Sequence, residues 1–482
     1  MLLAGASTCR VVVKACAVLL LVVVVFITPA VNYAQEAIAV DWPMLGHDAA
    51  HTSAVSSDIE PPLAKRSIFN LTTGQFAASP IVIGDSLFAF AEIGNYVHAY
   101  SLNDKSGAVR WSYNTGGSLF AWPAASDRFI YVPVTYRGPP PQPNATQQYN
   151  QTLGGGALIA LDVTNGQLAW SKHTVNTIMT SPVVEAGTVY ATFDKEGVYA
   201  LDAATGSVKW FYPWLTSNLM LAPPIEYNGT VIVPVYAQGV IALDARNGGL
   251  KWKYDVASHF GFHPGAVGES TAGAGMIFVP FYDFSDDQRS RYRVTLVAFN
   301  RDNGEVVWQT LLQDFAFEGG GAGSTYLAFA NDTVYATSPY HHLNGTIPGT
   351  GPVMALDALT GVVKWSTSIP RPNLRIVVAE NTLLVGSFLT GNTEINALNV
   401  STGLQLWHYK PYCAAYYDCE FIVADGALYV ATDGYSMLSS LSSATAVPET
   451  QAPATIFLTC FIAFVAFHIH RKQQDLAPLT WQ

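Results

Sequence analysis

Ala200-Leu-Asp-Ala-Ala-Thr-Gly-Ser-Val-Lys-Trp210 is the stretch that decides the fold, because the chain repeats it. Ala355 to Trp365 follows the same pattern, with Asp357, Gly361 and Trp365 in the corresponding places. The shorter spacing, a glycine four residues before a tryptophan, recurs at Gly107 and Trp111, Gly166 and Trp170, Gly206 and Trp210, Gly248 and Trp252, Gly304 and Trp308, Gly361 and Trp365, and Gly403 and Trp407. With 39 glycines among 482 residues, coincidence would supply a glycine there for about one of the 11 tryptophans. Four residues before each glycine stands an Asx residue: Asn103, Asp162, Asp202, Asp244, Asn300, Asp357 or Asn399.

That spacing has a mechanical reason. An apolar strand ends at the Asx residue, whose side chain accepts hydrogen bonds from the backbone ahead, and the glycine takes the positive φ that reverses the chain. The returning strand carries the tryptophan, which can bury on the order of 200 Å² against a neighbouring sheet. Upstream of each such hairpin lies a second pair of short apolar runs, as in Ser181-Pro182-Val183-Val184 and Val189-Tyr190-Ala191-Thr192. Each repeat is therefore four antiparallel strands, here called a to d. Repeated four-stranded units of about 40 residues indicate an all-β, eight-bladed β-propeller, with a linear solenoid as the alternative.

The ends of the repeat region favour a closed ring. After Trp407, Phe421–Ala424, Ala427–Thr432 and Ser436–Leu441 supply strands a, b and c, but no fourth strand follows. Leu63–Asn70 can supply it, with Lys65-Arg66-Ser67-Ile68-Phe69-Asn70 aligned on Val109-Arg110-Trp111-Ser112-Tyr113-Asn114 and Ser67 in the tryptophan's place. The N-terminal region is thus expected to close the eighth blade.

Outside the ring, residues 1–34 combine Arg10 and Lys14, an apolar run and small residues at Ala30 and Ala34, which is the pattern of a signal peptide. Residues 444–451 form a linker. Residues 452–470 form an apolar segment followed by Arg471 and Lys472, the pattern of a transmembrane helix with a cytoplasmic tail at 471–482. The expectation is a single-pass type I protein whose bulk, residues 41–443, is extracellular or in the secretory or endolysosomal lumen. Sequons at Asn70, Asn144, Asn150, Asn228, Asn331 and Asn344 fit that exposure. Asn399 also heads a sequon but is needed in its turn. Of the five cysteines, Cys413 and Cys419 remain as a pair able to form a disulfide there. The composition is 50% hydrophobic and only 12% charged, which excludes disorder and coiled coil. A net charge of −11 disfavours a nucleic-acid partner.

The repeats resemble those of PQQ-type, quinoprotein-like β-propellers, whose Ala-Leu-Asp-x-x-Thr-Gly-x-x-x-Trp signature is matched best at Ala200–Trp210 and Ala355–Trp365. The opening Asp41-Trp42-Pro43-Met44-x-Gly46-His47-Asp48-x-x-His51-Thr52 resembles the start of exported bacterial proteins with such repeats. The resemblance implies the propeller. It leaves two functional classes open, cofactor-free scaffolds of the BamB type and quinone-dependent alcohol or sugar dehydrogenases. The enzymes place an aspartate base, Ca²⁺ and an adjacent-cysteine disulfide around the quinone PQQ, and this sequence has no adjacent cysteines. PQQ and Ca²⁺ are therefore expected only under the dehydrogenase reading.

Insertions at 136–156, 282–293 and 339–352 all fall between strands b and c, so one face of the ring should be elaborated. That face also receives the d-to-a connections. Trp214, His259, His263, Tyr282, His341, His342, Tyr412, Tyr416 and Tyr417 are the expected binding residues on it. Glu269, Asp283, Asp286 and Asp287 read as solvated loop carboxylates, and His47, His51, His259 and His263 as structural or exposed rather than metal ligands. No catalytic residue, nucleophile elbow or phosphate loop stands out. The expected function is a membrane-tethered module that binds a protein or glycan ligand through the insertion-bearing face.

Overall fold

The computed structural model describes residues 41–119, 121–136, 155–174, 180–193, 196–213, 222–235, 238–266, 268–316, 324–338, 349–372, 374–389, 392–411, 420–431 and 437–443. These form eight antiparallel sheets arranged as blades, each with strands a to d in spatial order. Blade 3 is typical, with Val183–Glu185, Thr188–Phe193, Gly197–Asp202 and Val208–Pro213. Strands b and c are covered on both sides by neighbouring blades, so Thr230–Val235 is buried at every residue. Strand d is outermost and mostly exposed, as the largely solvent-facing Val208–Pro213 shows, with its tryptophan turned inward.

The ring closes as expected. Leu63–Asn70 pairs antiparallel with Met437–Ser443, from Leu63 opposite Ser443 to Asn70 opposite Met437. One detail differs from the sequence alignment. In blade 3 the bulge comes early, so Trp210 lies opposite Ala200, and in blade 8 it is delayed to Ile68. Arg66 therefore stands opposite Ser440, in the tryptophan's place, and Ser67 does not.

What that place does is the same in blades 1 to 6. The indole N–H of Trp111 donates to the Val163 carbonyl in the c–d turn of the next blade at 2.9 Å. Trp170, Trp210, Trp252, Trp308 and Trp365 repeat the bond to Ala203, Ala245, Arg301, Ala358 and Val400 at 2.7–3.0 Å. Each ring also lies flat against the turn glycine of that next blade. A Cβ added at Gly206 would sit 2.6 Å from Trp170 ring atoms, and φ there is +70°. The glycine is thus required twice, for its dihedral and for the close approach. In the closing blade Arg66 substitutes for the indole, its Nη2 donating to the Asp104 carbonyl at 2.6 Å.

Residues 41–55 form a strap across the axis at the end of the a–b and c–d turns. Trp42 bridges Val82 of blade 1, and the carbonyls of Pro43, Ala49, Ala50, Thr52 and Ser53 accept from Ala125, Glu226, Ala272, Phe329 and Val378, on the innermost strands of blades 2, 4, 5, 6 and 7. Ala54–Val55 then runs parallel to Val378–Ala379. Gly46 at φ +69° and Asp48, whose Oδ1 accepts from the backbone of Ala50 and Thr52, make the bend. Among the described residues the strap makes no backbone bond to blade 8 or to blade 3. At blade 3 an open cleft of about 430 Å³ lies between Asp41–Ala49 and the Val184–Gly187 turn.

The 282–293 insertion is not a loop. Strands b and c of blade 5 lengthen into Met276–Phe284 and Arg291–Asn300, joined by a short turn. Asp283 is buried there rather than solvated, because Arg293 pairs with it and Gly261 N–H donates to it at 2.7 Å. Asp286 and Asp287 stay in the turn, where Asp286 accepts from Ser290 N–H. Among the described residues no helix is long and apolar enough to cross a membrane. The expected signal peptide, linker, transmembrane helix and tail lie outside those residues.

Candidate binding site

At the end of the channel opposite the strap, the residue two positions before the core of each strand a forms a ring, one member per blade. Cross-strand register fixes the station. Val183 pairs with Tyr190 in blade 3, and Ser181 precedes it by two. The equivalent pairs, Ile81 with Phe88, Ala124 with Tyr131, Ile225 with Ile232, Thr271 with Phe278, Ala328 with Tyr335, Val377 with Leu384 and Ile422 with Tyr429, select the other seven. They are Ser79, Trp122, Pro223, Glu269, Tyr326, Arg375 and Glu420.

These side chains meet across the axis. The Arg375 guanidinium lies 5.5 Å from the ring centroid of Trp122, three blades away around the ring. Its Nε donates to Glu420 Oε2 at 3.0 Å, and Ser79 Oγ donates to the same oxygen at 2.8 Å. The backbone N–H of Trp122 donates to Ser181 Oγ at 3.0 Å. Gly268 lets blade 5 close on blade 6, where a Cβ would fall 1.8 Å from the Thr325 carbonyl oxygen, and this close approach sets Glu269 next to Tyr326 in the ring.

Two of the three charges are buried. Arg375 is 4% exposed and Glu269 9%. Burial works against the Arg375 cation, but the carboxylates of Glu420 and Glu269 outweigh it and hold its pKa above the ordinary guanidinium value. Burial raises the Glu269 pKa above the usual carboxylate range; Arg375 offsets part of that and Glu420 adds to it. His51 of the strap is also within electrostatic reach of Arg375, and burial brings its pKa down to about 4. Several polar atoms here have no hydrogen-bond partner among the described residues: Arg375 Nη1, Trp122 Nε1, Ser270 Oγ, Thr325 Oγ1 and both ring nitrogens of His51.

Most of this site was not among the expected residues. Glu269 was expected as a solvated carboxylate and is instead buried beside Arg375. Ser-Pro opens strand a only in blades 1 and 3, as Ser79-Pro80 and Ser181-Pro182, and the same station holds Trp122, Pro223, Glu269, Tyr326, Arg375 and Glu420 elsewhere, so no one residue type marks it in the sequence. Of the expected binding residues, His259 is exposed beyond strand d of blade 4, its Nδ1 within 2.9 Å of Ser258 Oγ and its ring stacked on Tyr254. Tyr282 packs on Tyr292 and Phe284 inside the blade 5 hairpin, so it supports that hairpin. His263 has its backbone in the outer part of strand a of blade 5. Trp214, His341, His342, Tyr412, Tyr416, Tyr417, Cys413, Cys419, Asn144, Asn150 and Asn344 lie outside the described residues. Asn70, Asn228 and Asn331 are exposed. Asn399 Oδ1 accepts from Ser401 and Thr402, the turn role expected of it.

Residues 95–273 and 293–444 match the family model described as outer membrane protein assembly factor BamB. The chain belongs to that family. Among solved structures, BamB from Moraxella catarrhalis is 18% identical with a TM-score of 0.55, over 79% of this chain and 98% of that one. A quinohemoprotein alcohol dehydrogenase from Comamonas testosteroni is 16% identical with a TM-score of 0.56, over 86% of this chain and 83% of that one. A computationally designed protein, Ika8, is 12% identical with a TM-score of 0.52, over 77% of this chain and 98% of that one. At these identities the likeness shows the fold that a BamB-type chain shares with them. No curated protein matches the sequence.

Proposed function

We propose that this protein is a membrane-tethered binding or scaffolding propeller, with its bulk outside the cytosol, that engages a protein or glycan ligand through its insertion-bearing face. One observation carries the reading. The strap occupies the axis at the turn face by bonding to the inner strands of blades 1, 2, 4, 5, 6 and 7, and the polar ring with its unpartnered groups lies at the other end. The family's description as an assembly factor is a role exercised on other proteins and supports a protein ligand.

A quinone-dependent dehydrogenase is the second reading, prompted by the dehydrogenases that share the fold. The ring does not fit a quinone with Ca²⁺. Glu420 Oε2 is already bonded by Arg375 and Ser79, and the charge between Glu420 and Glu269 is a guanidinium, which a divalent cation would have to displace. Among the described residues no three His, Cys, Asp or Glu side chains come together as metal ligands. Incubating the full-length protein with PQQ and Ca²⁺ and assaying dye reduction with alcohols and aldoses separates the readings. No turnover is expected, and turnover would establish the enzyme.

The scaffold reading has its own test. A photo-crosslinker at exposed Gln288, in the blade 5 insertion, should capture a partner in cells, whereas one at exposed Ala204, in a c–d turn, should not. Capture from Ala204 alone would reverse the assignment of the binding face.

A further inference from the structure

We propose that the ring of Trp122, Glu269 and Arg375 at the insertion-face mouth of the channel is a sugar-binding subsite. The inference rests on the reading of that face as the binding face and names the chemistry of its ligand. Arg375 spends its Nε and Nη2 on Glu420 and leaves Nη1 buried with no acceptor among the described residues. Trp122 Nε1 and the hydroxyls of Ser270 and Thr325 are likewise buried and unpartnered. Glu269 lies within electrostatic reach of Arg375, yet Nη1 makes no hydrogen bond to it. Arg375 Nη1 needs an acceptor and the Glu269 carboxylate can take a donor, and a hydroxyl supplies both.

Charge points the same way. A carboxylate or phosphate ligand would meet Arg375 but face two glutamates, and an ammonium would meet the glutamates but face Arg375. A neutral polyol meets each without leaving a charge unpaired. Trp122 adds an aromatic surface suited to the C–H face of a sugar ring, with a donor at its edge.

The test uses the full-length protein in a detergent without a sugar headgroup. The probes are immobilised neutral and acidic oligosaccharides, followed by competition with free methyl glycosides. Binding to neutral sugars is expected. Trp122→Phe, which keeps an aromatic face and removes the N–H, and Glu269→Gln, which keeps the volume, should each weaken it about tenfold, with unfolding midpoints little changed. Competition by a methyl glycoside identifies a single sugar unit as the ligand, and competition only by longer oligosaccharides identifies a glycan chain. If no sugar binds at millimolar concentration, or if neither variant weakens binding, the subsite is refuted. Retained crosslinking from Gln288 without sugar binding would leave the scaffold reading standing, and the converse would leave the subsite standing.

Discussion

Two glycine-to-alanine substitutions in one blade separate the two reasons for a turn glycine. Gly187 and Gly206 have nearly the same dihedral, φ +71° and +70°. A Cβ at Gly187 meets nothing within 4 Å, whereas at Gly206 it would lie 2.6 Å from Cδ2 and Cε3 of Trp170. Gly187→Ala should therefore cost only the left-handed penalty, about 1–2 kcal/mol. Gly206→Ala should add the cost of displacing a packed ring, about 1–3 kcal/mol, and weaken the Trp170 bond to Ala203. In Trp170→Ala the obstruction is gone, so adding Gly206→Ala should then cost no more than Gly187→Ala does alone. Urea unfolding is the better assay, since at this chain length Tm moves by only about 1 °C per kcal/mol. Equal losses for the two single variants, or additivity of Gly206→Ala with Trp170→Ala, would refute the stacking account.

Arg66→Ala should lower protection against hydrogen exchange in Leu63–Asn70 and Met437–Ser443 before the other blades, because it removes the contact to Asp104 that stands in for the indole bond. His51 stays neutral in the folded ring down to about pH 4, while the unfolded chain takes up its proton near 6.5. Stability should therefore fall by about 3 kcal/mol as pH drops from 6.5 to 4, and His51→Leu should flatten that slope in urea titrations at several pH values. Glu420→Gln leaves the buried Arg375 without its bonded carboxylate and should cost about 3–5 kcal/mol, whereas Glu269→Gln, which makes no hydrogen bond to Arg375, should cost far less. Equal losses in unfolding midpoint would show that the two carboxylates hold Arg375 alike.

The fold was legible because its determinants repeat. Asx, glycine and tryptophan recur in register since every blade must turn and dock in the same way, and the missing fourth strand of the last repeat pointed to Leu63–Asn70. The site was less legible for the opposite reason. Trp122, Glu269, Arg375 and Glu420 share one station of strand a but no one residue type, and such a station becomes readable only once strand register aligns the blades. Arg66 was missed because the bulge of the closing strand shifts by two residues, which no local spacing encodes. Asp283 looked like a loop residue because its partner Arg293 is ten positions away across a hairpin that the insertion length did not reveal.

The strap and the closing strand both come from residues 41–70, and the last blade ends at Ser443. During synthesis the ribosome delivers the clasp first and the eyelet last, so Leu63–Asn70 must wait with an unpaired edge for nearly the whole of translation. A chain that stops short of Met437 offers that edge nothing to pair with. Completion of the circle is thus itself a length check, and prematurely terminated chains should be recognisable to quality control by a single exposed ribbon near their beginning.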